Sequence, residues 1–199
     1  MTPRPLPSAG RVCVYCASSP RADPEYARVA RALGRILAES GWTVVYGGGA
    51  VGSMGALAEG ALAAGGHVVG VIPRFMIELE WAHTGLGELQ VVEDMHERKK
   101  RMIGDVDAVA ALPGGTGTFE ELLEALTWKR LGLWSGPVVM LNTRDYYAPL
   151  QELLEKAIRE RFMDPRHRDM WSLVERAEEV LPAIRNAPPW DAATARGFA

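Results

Sequence analysis

The sequence predicts an α/β fold: a doubly wound, mostly parallel sheet with helices on both faces. Three observations predict it. Segments of strand character alternate with helical periodicities, the pattern of repeated β-α units. Several strand segments are apolar throughout rather than alternating, which suits strands covered on both faces. Glycine-rich turns stand at the carboxyl ends of strand segments, where ligands gather in sheets of this kind.

In chain order, an apolar run at 12–17 (VCVYCA) precedes a helical pattern at 24–39, and a run at 43–46 (TVVY) precedes a helix at 53–64. Strand runs follow at 67–72 (HVVGVI) and 89–92 (LQVV), then a helix at 95–104. A run at 108–112 (AVAAL) leads into a helix at 118–131, and a run at 137–141 (PVVML) into helices at 147–161 and 176–184.

At 199 residues the chain fits one domain. A loose, proline-bearing arm is expected over 1–10, a single domain over 11–185, and a mobile or surface-draped tail over 186–199, where Pro188 and Pro189 stand. The hydrophobic share of 48% and charged share of 24% are those of an ordinary soluble domain. A net charge of −3 supplies no global positive field, which disfavours nucleic acid and anionic membranes as partners. The N-terminus lacks the apolar core of a signal peptide, and the uncharged stretches at 41–57 and 60–73 are broken by glycines, so a cytoplasmic protein is expected. Cys13 and Cys16 have C-x-x-C spacing, but on a strand residues three apart face opposite ways. No second cysteine pair completes a zinc site. Both are expected in the core.

The most informative stretch is AVAALPGGTGTFEE, residues 108–121: an apolar run, a glycine-rich turn and an acidic helix start. Gly114, Gly115 and Gly117 can adopt backbone angles barred to other residues and let a ligand approach the main chain. A helix start beyond them offers unpaired N–H groups and a positive dipole end, so the stretch is suited to a phosphate. A second cluster, Gly47 to Gly52, satisfies G-x-G-x-x-G, but the acid that would hold a dinucleotide's ribose is missing and the next strand run leads into Pro73 and Arg74. Arg74 keeps an NADP-dependent oxidoreductase open as an alternative. Two phosphate-type loops without a nicotinamide pocket favour a mononucleotide. Neither is a Walker motif.

In the run from Glu93 to Arg101, Asp94 fits an N-cap, which puts four basic residues near a helix start, against the dipole. Lys100 and Arg101 fit a solvated face; Arg98 points to an anionic partner. Glu121 has two readings. Thr118-Phe119-Glu120-Glu121 matches a capping box, in which the acid satisfies a backbone donor. Equally, a carboxylate beside a phosphate cradle suits an acid that orients water or stabilises a developing cation on a sugar. His67, His83 and His167 are expected to be structural or exposed, while His96 is within reach of the pocket. No G-x-S-x-G elbow or H-E-x-x-H occurs.

Pro113 to Glu121 matches P-G-G-x-G-T-x-x-E, and Met95 to Lys99 matches M-H-x-R-K. With Cys16-Ala17-Ser18-Ser19, the glycines from Gly47 to Gly55 and Val71-Ile72-Pro73, these motifs resemble the LONELY GUY (LOG) family of cytokinin riboside 5′-monophosphate phosphoribohydrolases, over roughly residues 11–184. The resemblance implies a Rossmann-like, three-layer homodimer acting without metal or cofactor. It implies hydrolysis of the N-glycosidic bond of an adenosine 5′-monophosphate, often N6-modified, to the free base and ribose 5-phosphate. Carried over by motif, Arg98 and Glu121 are the catalytic pair. Lys99, Gly114, Gly115, Thr116, Gly117 and Thr118 hold the substrate, with Glu80 and Thr127 as further ligand residues. Chains of this kind are also labelled lysine decarboxylases, yet no lysine here stands in a recognisable Schiff-base setting. The rival from another class is a noncatalytic nucleotide carrier or sensor, in which Glu121 only caps its helix.

Overall fold

A computed structural model describes residues 9–79 and 81–190. Seven strands form one sheet in the order β4-β3-β2-β1-β5-β6-β7, parallel at every pairing. The strands are β1 Arg11–Tyr15, β2 Thr43–Tyr46, β3 Val68–Pro73, β4 Glu88–Val92, β5 Ala108–Ala111, β6 Val138–Leu141 and β7 Trp171–Val174. The helices are α1 Pro24–Glu39, α2 Gly52–Ala63, α3 Arg74–Glu78, α4 Met95–Gly104, α5 Thr116–Arg130, α6 Ala148–Arg159 and α7 Val180–Arg185.

The predicted α/β architecture stands, with two additions. Strand β7 was not anticipated: its four residues, WSLV, follow a 3-10 turn at Pro165–Met170 and carry little periodicity of their own. The short α3 follows β3 directly, and the segment expected as one helix at 176–184 is a 3-10 turn, Ala177–Glu179, joined to α7.

The strand patterns explain the layering. Every residue of β3, β5 and β6 is buried, so these strands have no solvent face. Alternate side chains serve opposite layers. Val12, Val14, Val44 and Ala110 pack with Leu33 and Leu37 of α1, Leu57 of α2 and Ile184 of α7. Cys13, Tyr15, Val45 and Val109 pack with Met102 of α4, Leu122 and Leu126 of α5 and Leu154 of α6. The two cysteines fall on opposite sides of the sheet, as strand alternation requires, both free and buried. Among the described residues no cluster of His, Cys, Asp and Glu could hold a metal ion, and no helix is long and apolar enough to cross a membrane.

Helices α1 and α2 approach backbone to backbone. A Cβ on Gly34 would stand 2.1 Å from the Leu57 carbonyl oxygen, so no larger residue fits there. The tail is less loose than its prolines suggest: Trp190 is buried in the second core and its indole N–H donates to the Lys129 carbonyl at 2.8 Å. Residues 1–8 of the expected arm and 191–199 of the expected tail lie outside the described residues.

Strand order sets the site. The chain steps outward from β1 to β4, then crosses back to place β5 on the other side of β1. The carboxyl ends of β1 and β5 therefore flank the point where the winding reverses, the place where open α/β sheets hold ligands. The loop leaving β5 carries Pro113, Gly114 and Gly115.

Candidate active site

Helix α5 begins at Thr116 with Gly115 as N-cap, two residues before the expected start at 118, and no side chain caps it. Among the described residues, the N–H groups of Gly115, Thr116, Gly117 and Thr118 meet no backbone acceptor; the first bond back is from Phe119 N–H to the Gly115 carbonyl at 3.0 Å. Four donors and the positive end of a 15-residue helix thus face an exposed turn. The left-handed glycine angles open to this loop do not occur in it: among the described residues the glycines at positive φ are Gly41, Gly48, Gly52, Gly65 and Gly132. Gly114 is required for another reason, since a Cβ there would sit 2.1 Å from the Thr118 hydroxyl, which packs over it. Around Gly115 and Gly117 a Cβ would meet nothing within 4 Å, so the turn itself is uncrowded.

Arg98 enters from α4, whose N-terminus is capped as expected by Asp94, accepting from the N–H groups of His96 and Glu97 at 2.8 Å each. A cation in the first turns opposes the helix dipole, and the fold offsets this with two carbonyls, one just past β2 and one within β3. The Arg98 Nε donates to the Val71 carbonyl at 3.1 Å and Nη2 to the Gly47 carbonyl at 2.9 Å. Gly47 makes this possible: a Cβ on it would stand 2.1 Å from Nη2. The Gly47 turn, which matches the dinucleotide spacing but lacks its acid, is thus the dock for an arginine. Arg74, which kept the NADP alternative open, is an exposed side chain paired with Glu93 at 3.0 Å.

The third nitrogen of the guanidinium, Nη1, lies 3.6 Å from Oε1 of Glu121, and both side chains are about 95% buried, at 6% and 5% exposure. The capping-box reading of Glu121 is overturned. Thr118 and Glu121 both lie inside α5, and among the described residues the Glu121 carboxylate accepts no backbone hydrogen bond. Burial pushes its carboxyl up to about 7, against the opposing pull of Arg98; Lys99 pulls the same way as Arg98, while Glu120 and Glu124 add to the rise. Desolvation outweighs the ion pair because the pair is long and Arg98 is already committed to two carbonyls.

Lys99 is also brought to α5, but its ammonium bonds Glu120 at 2.6 Å and lies 3.4 Å from Glu124, which holds α4 against α5. Thr116 and Gly117 are exposed at the helix start; Thr118 is buried over Gly114. Thr127 is not gathered with the others. It is exposed, its hydroxyl donates to the Leu123 carbonyl at 2.8 Å, and it lies roughly 9 Å along and a third of a turn around α5 from Glu121. Glu80 lies outside the described residues. His96 is exposed on α4.

Two residues at this site were not picked out from the sequence. Tyr146 and Tyr147 follow β6, and their hydroxyls donate to the carbonyls of Gly114 and Leu112, the latter at 2.7 Å. The Phe119 ring of α5 stacks on Tyr146 with centroids 6.1 Å apart. The consecutive tyrosines after an apolar strand were the available signal.

Comparison with known proteins places the chain in a family. The family model described as "Possible lysine decarboxylase" matches residues 54–184. The chain is 46% identical over 184 residues to the cytokinin riboside 5′-monophosphate phosphoribohydrolase of Rhodococcoides fascians, covering 92% of each. It is 41% identical to the Arabidopsis thaliana enzyme LOG7, covering 90% of this chain and 82% of that one. Among solved structures, the molybdenum cofactor carrier protein of Chlamydomonas reinhardtii superposes with a TM-score of 0.69 at 21% identity, covering 89% of this chain and 96% of that one, a likeness of fold. With its Arg98–Lys99 and Pro113–Glu121 motifs joined by ion pairs between α4 and α5, this chain belongs to the LOG family of cytokinin riboside 5′-monophosphate phosphoribohydrolases.

Proposed function

We propose that this protein hydrolyses the N-glycosidic bond of adenosine 5′-monophosphates, N6-modified ones included, releasing the free base and ribose 5-phosphate. The observation that carries the reading is the buried Arg98–Glu121 pair beside the open donors of the α5 N-terminus. The donors of Gly115 to Thr118 suit the 5′-phosphate, a dianion that a helix N-terminus holds without a counter-charged side chain. This leaves the ribose over the pair. As the bond to the base nitrogen lengthens, C1′ takes on positive charge, which a carboxylate stabilises. Glu121 orients the water, whose oxygen bonds to C1′ as the bond to the base nitrogen breaks, and takes up its proton; a carboxyl with its affinity near neutrality then releases that proton to solvent, from which the departed base nitrogen is protonated. Arg98, pinned by Val71 and Gly47, keeps Glu121 oriented through their ion pair and favours its charged form.

The carrier reading assigned Glu121 to helix capping, a role it does not fill here. A lysine decarboxylase would need a lysine free to bind pyridoxal phosphate. Of the two buried lysines, Lys99 is held by Glu120 and Glu124, and Lys129 lies two helical turns beyond Glu121 with its ammonium 6.0 Å from the Trp190 ring centre.

The working unit we infer is a cytoplasmic homodimer. Leu123, Leu131 and Leu133, 42%, 54% and 68% exposed, stand on or just beyond α5 on the side that also carries Thr127. Pairing through this side covers the leucines and gives Thr127 a route to a nucleotide. Chromatography of products after incubation with AMP and isopentenyl-AMP tests the activity: equal amounts of free base and ribose 5-phosphate are expected. Intact nucleotide after prolonged incubation with both would end the proposal.

A further inference from the structure

We infer that Tyr146 is a positioning residue that fixes which way the Gly114–Gly115 peptide faces, and so turns the start of the glycine loop into an anion hole. The inference rests on the proposed function, since it concerns how that site holds a phosphate.

The turn that delivers Tyr146 is held from several sides. Asn142, buried at the end of β6, accepts from Tyr147 N–H at 2.7 Å through its side-chain oxygen and donates to Glu175 at 3.0 Å through its amide. Arg144 and Asp145 follow, both at φ +58°, a conformation costly to residues with a Cβ that persists only where surroundings enforce it. Arg144 is ion-paired to Asp23 at the head of α1. Tyr146 then lies edge-on to Tyr26 and Tyr147, at 6.0 and 5.4 Å, and stacks on Phe119. The phenol has little room to choose another partner than the Gly114 carbonyl.

That bond has a directional consequence. In a trans peptide the C=O and N–H point opposite ways, and the described residues contain no cis bond. With the Gly114 oxygen turned toward Tyr146, the Gly115 N–H must face the other side, toward the exposed turn of Gly115, Thr116 and Gly117. Two glycines flank this peptide, so nothing in their side chains resists a flip. A flipped peptide would aim a carbonyl oxygen at the phosphate, replacing an attraction with a repulsion. Tyr147 makes the informative contrast. It holds the Leu112 carbonyl, but the next residue is Pro113, which has no N–H, so that bond secures the loop without aiming a donor.

The test compares Tyr146→Phe with Tyr147→Phe, each losing one hydroxyl and keeping its ring. Readouts are calorimetric affinity for ribose 5-phosphate, KM and kcat with isopentenyl-AMP, and Tm. Tyr146→Phe is expected to weaken ribose 5-phosphate binding and raise KM by about fivefold to tenfold, with kcat within about twofold. Tyr147→Phe, losing a fully buried bond, is expected to lower Tm with both affinities unchanged. Wild-type affinity in Tyr146→Phe, or equal weakening in both variants, would overturn the inference while leaving the activity in place. Wild-type protein that binds no ribose 5-phosphate would overturn the functional reading, and this inference with it.

Discussion

The Arg98 guanidinium and the Glu121 carboxylate face one another at 3.6 Å, each about 95% buried. The arginine is held by carbonyls just past β2 and within β3, while the glutamate has the ion pair and, among the described residues, no backbone donor. A charge kept so poorly compensated works against stability. Its place beside the switch point of the sheet is the ground for proposing a catalytic role.

Glu121→Gln should therefore separate activity from stability. Turnover is expected to fall by roughly 100-fold or more, the usual scale for losing a positioned catalytic group. Stability should move the other way. The folded carboxyl, raised to about 7 from 4.5, binds its proton more tightly than the unfolded one, so protonation favours the fold below pH 4.5 and the benefit is lost as pH rises to about 7. At pH 8 the wild type carries a penalty of up to about 3 kcal/mol that the neutral amide escapes. Denaturant titrations of both proteins at pH 5 and pH 8 check this: the stability difference should shift toward the variant at the higher pH.

The same titration predicts the rate profile. If the ionised carboxylate is the active form, kcat/KM falls about tenfold per pH unit below about 7, on the acid side of the Glu121 transition. Substrate phosphate, with a second ionisation near 6, bends the curve further only below that point. Initial rates between pH 5 and 9 decide it; a profile flat from 8 to 6 would remove Glu121 as the titrating base.

Two glycine substitutions should have opposite signatures. Gly47→Ala drives a methyl into the Arg98 guanidinium and should cost activity strongly while leaving most of the fold, because the displaced atoms end a flexible side chain. Gly34→Ala meets the rigid carbonyl of Leu57 and should cost about 1–3 kcal/mol of stability with kcat unchanged. Thermal melts and kinetics on the pair would show the contrast.

Lys129 is a stability liability away from the site. Burial lowers its ammonium to about 8 from 10.5, so its penalty, up to about 3 kcal/mol, is fully present below pH 8 and fades as pH rises toward 10.5. Lys129→Met should raise Tm at pH 7, with a gain that shrinks by pH 10; a variant less stable at pH 7 would show that the Trp190 contact matters more.

The fold was legible because buried parallel strands announce themselves as unbroken apolar runs, and β2 and α4 occupy the residues expected of them. Strand β7 escaped because four residues after a 3-10 turn carry no repeat. At the site, the gathering of Arg98 and Glu121 follows from motifs. The geometry behind it was hidden, since the Gly47 turn and the capping-box spacing each match a commoner local pattern. Tyr146 was invisible for a different reason: its partner is a backbone carbonyl 32 residues away, and no sequence pattern records such a bond.

The central claim is that the Arg98–Glu121 pair breaks the glycosidic bond of a nucleotide held by its phosphate. The most direct measurement is release of free base from isopentenyl-AMP at pH 8 by wild type and Glu121→Gln, with ribose 5-phosphate affinity measured on the same samples. The account predicts base and ribose 5-phosphate in equal amounts from the wild type, and from the variant unchanged affinity with release reduced 100-fold or more. Comparable release by the variant would contradict it.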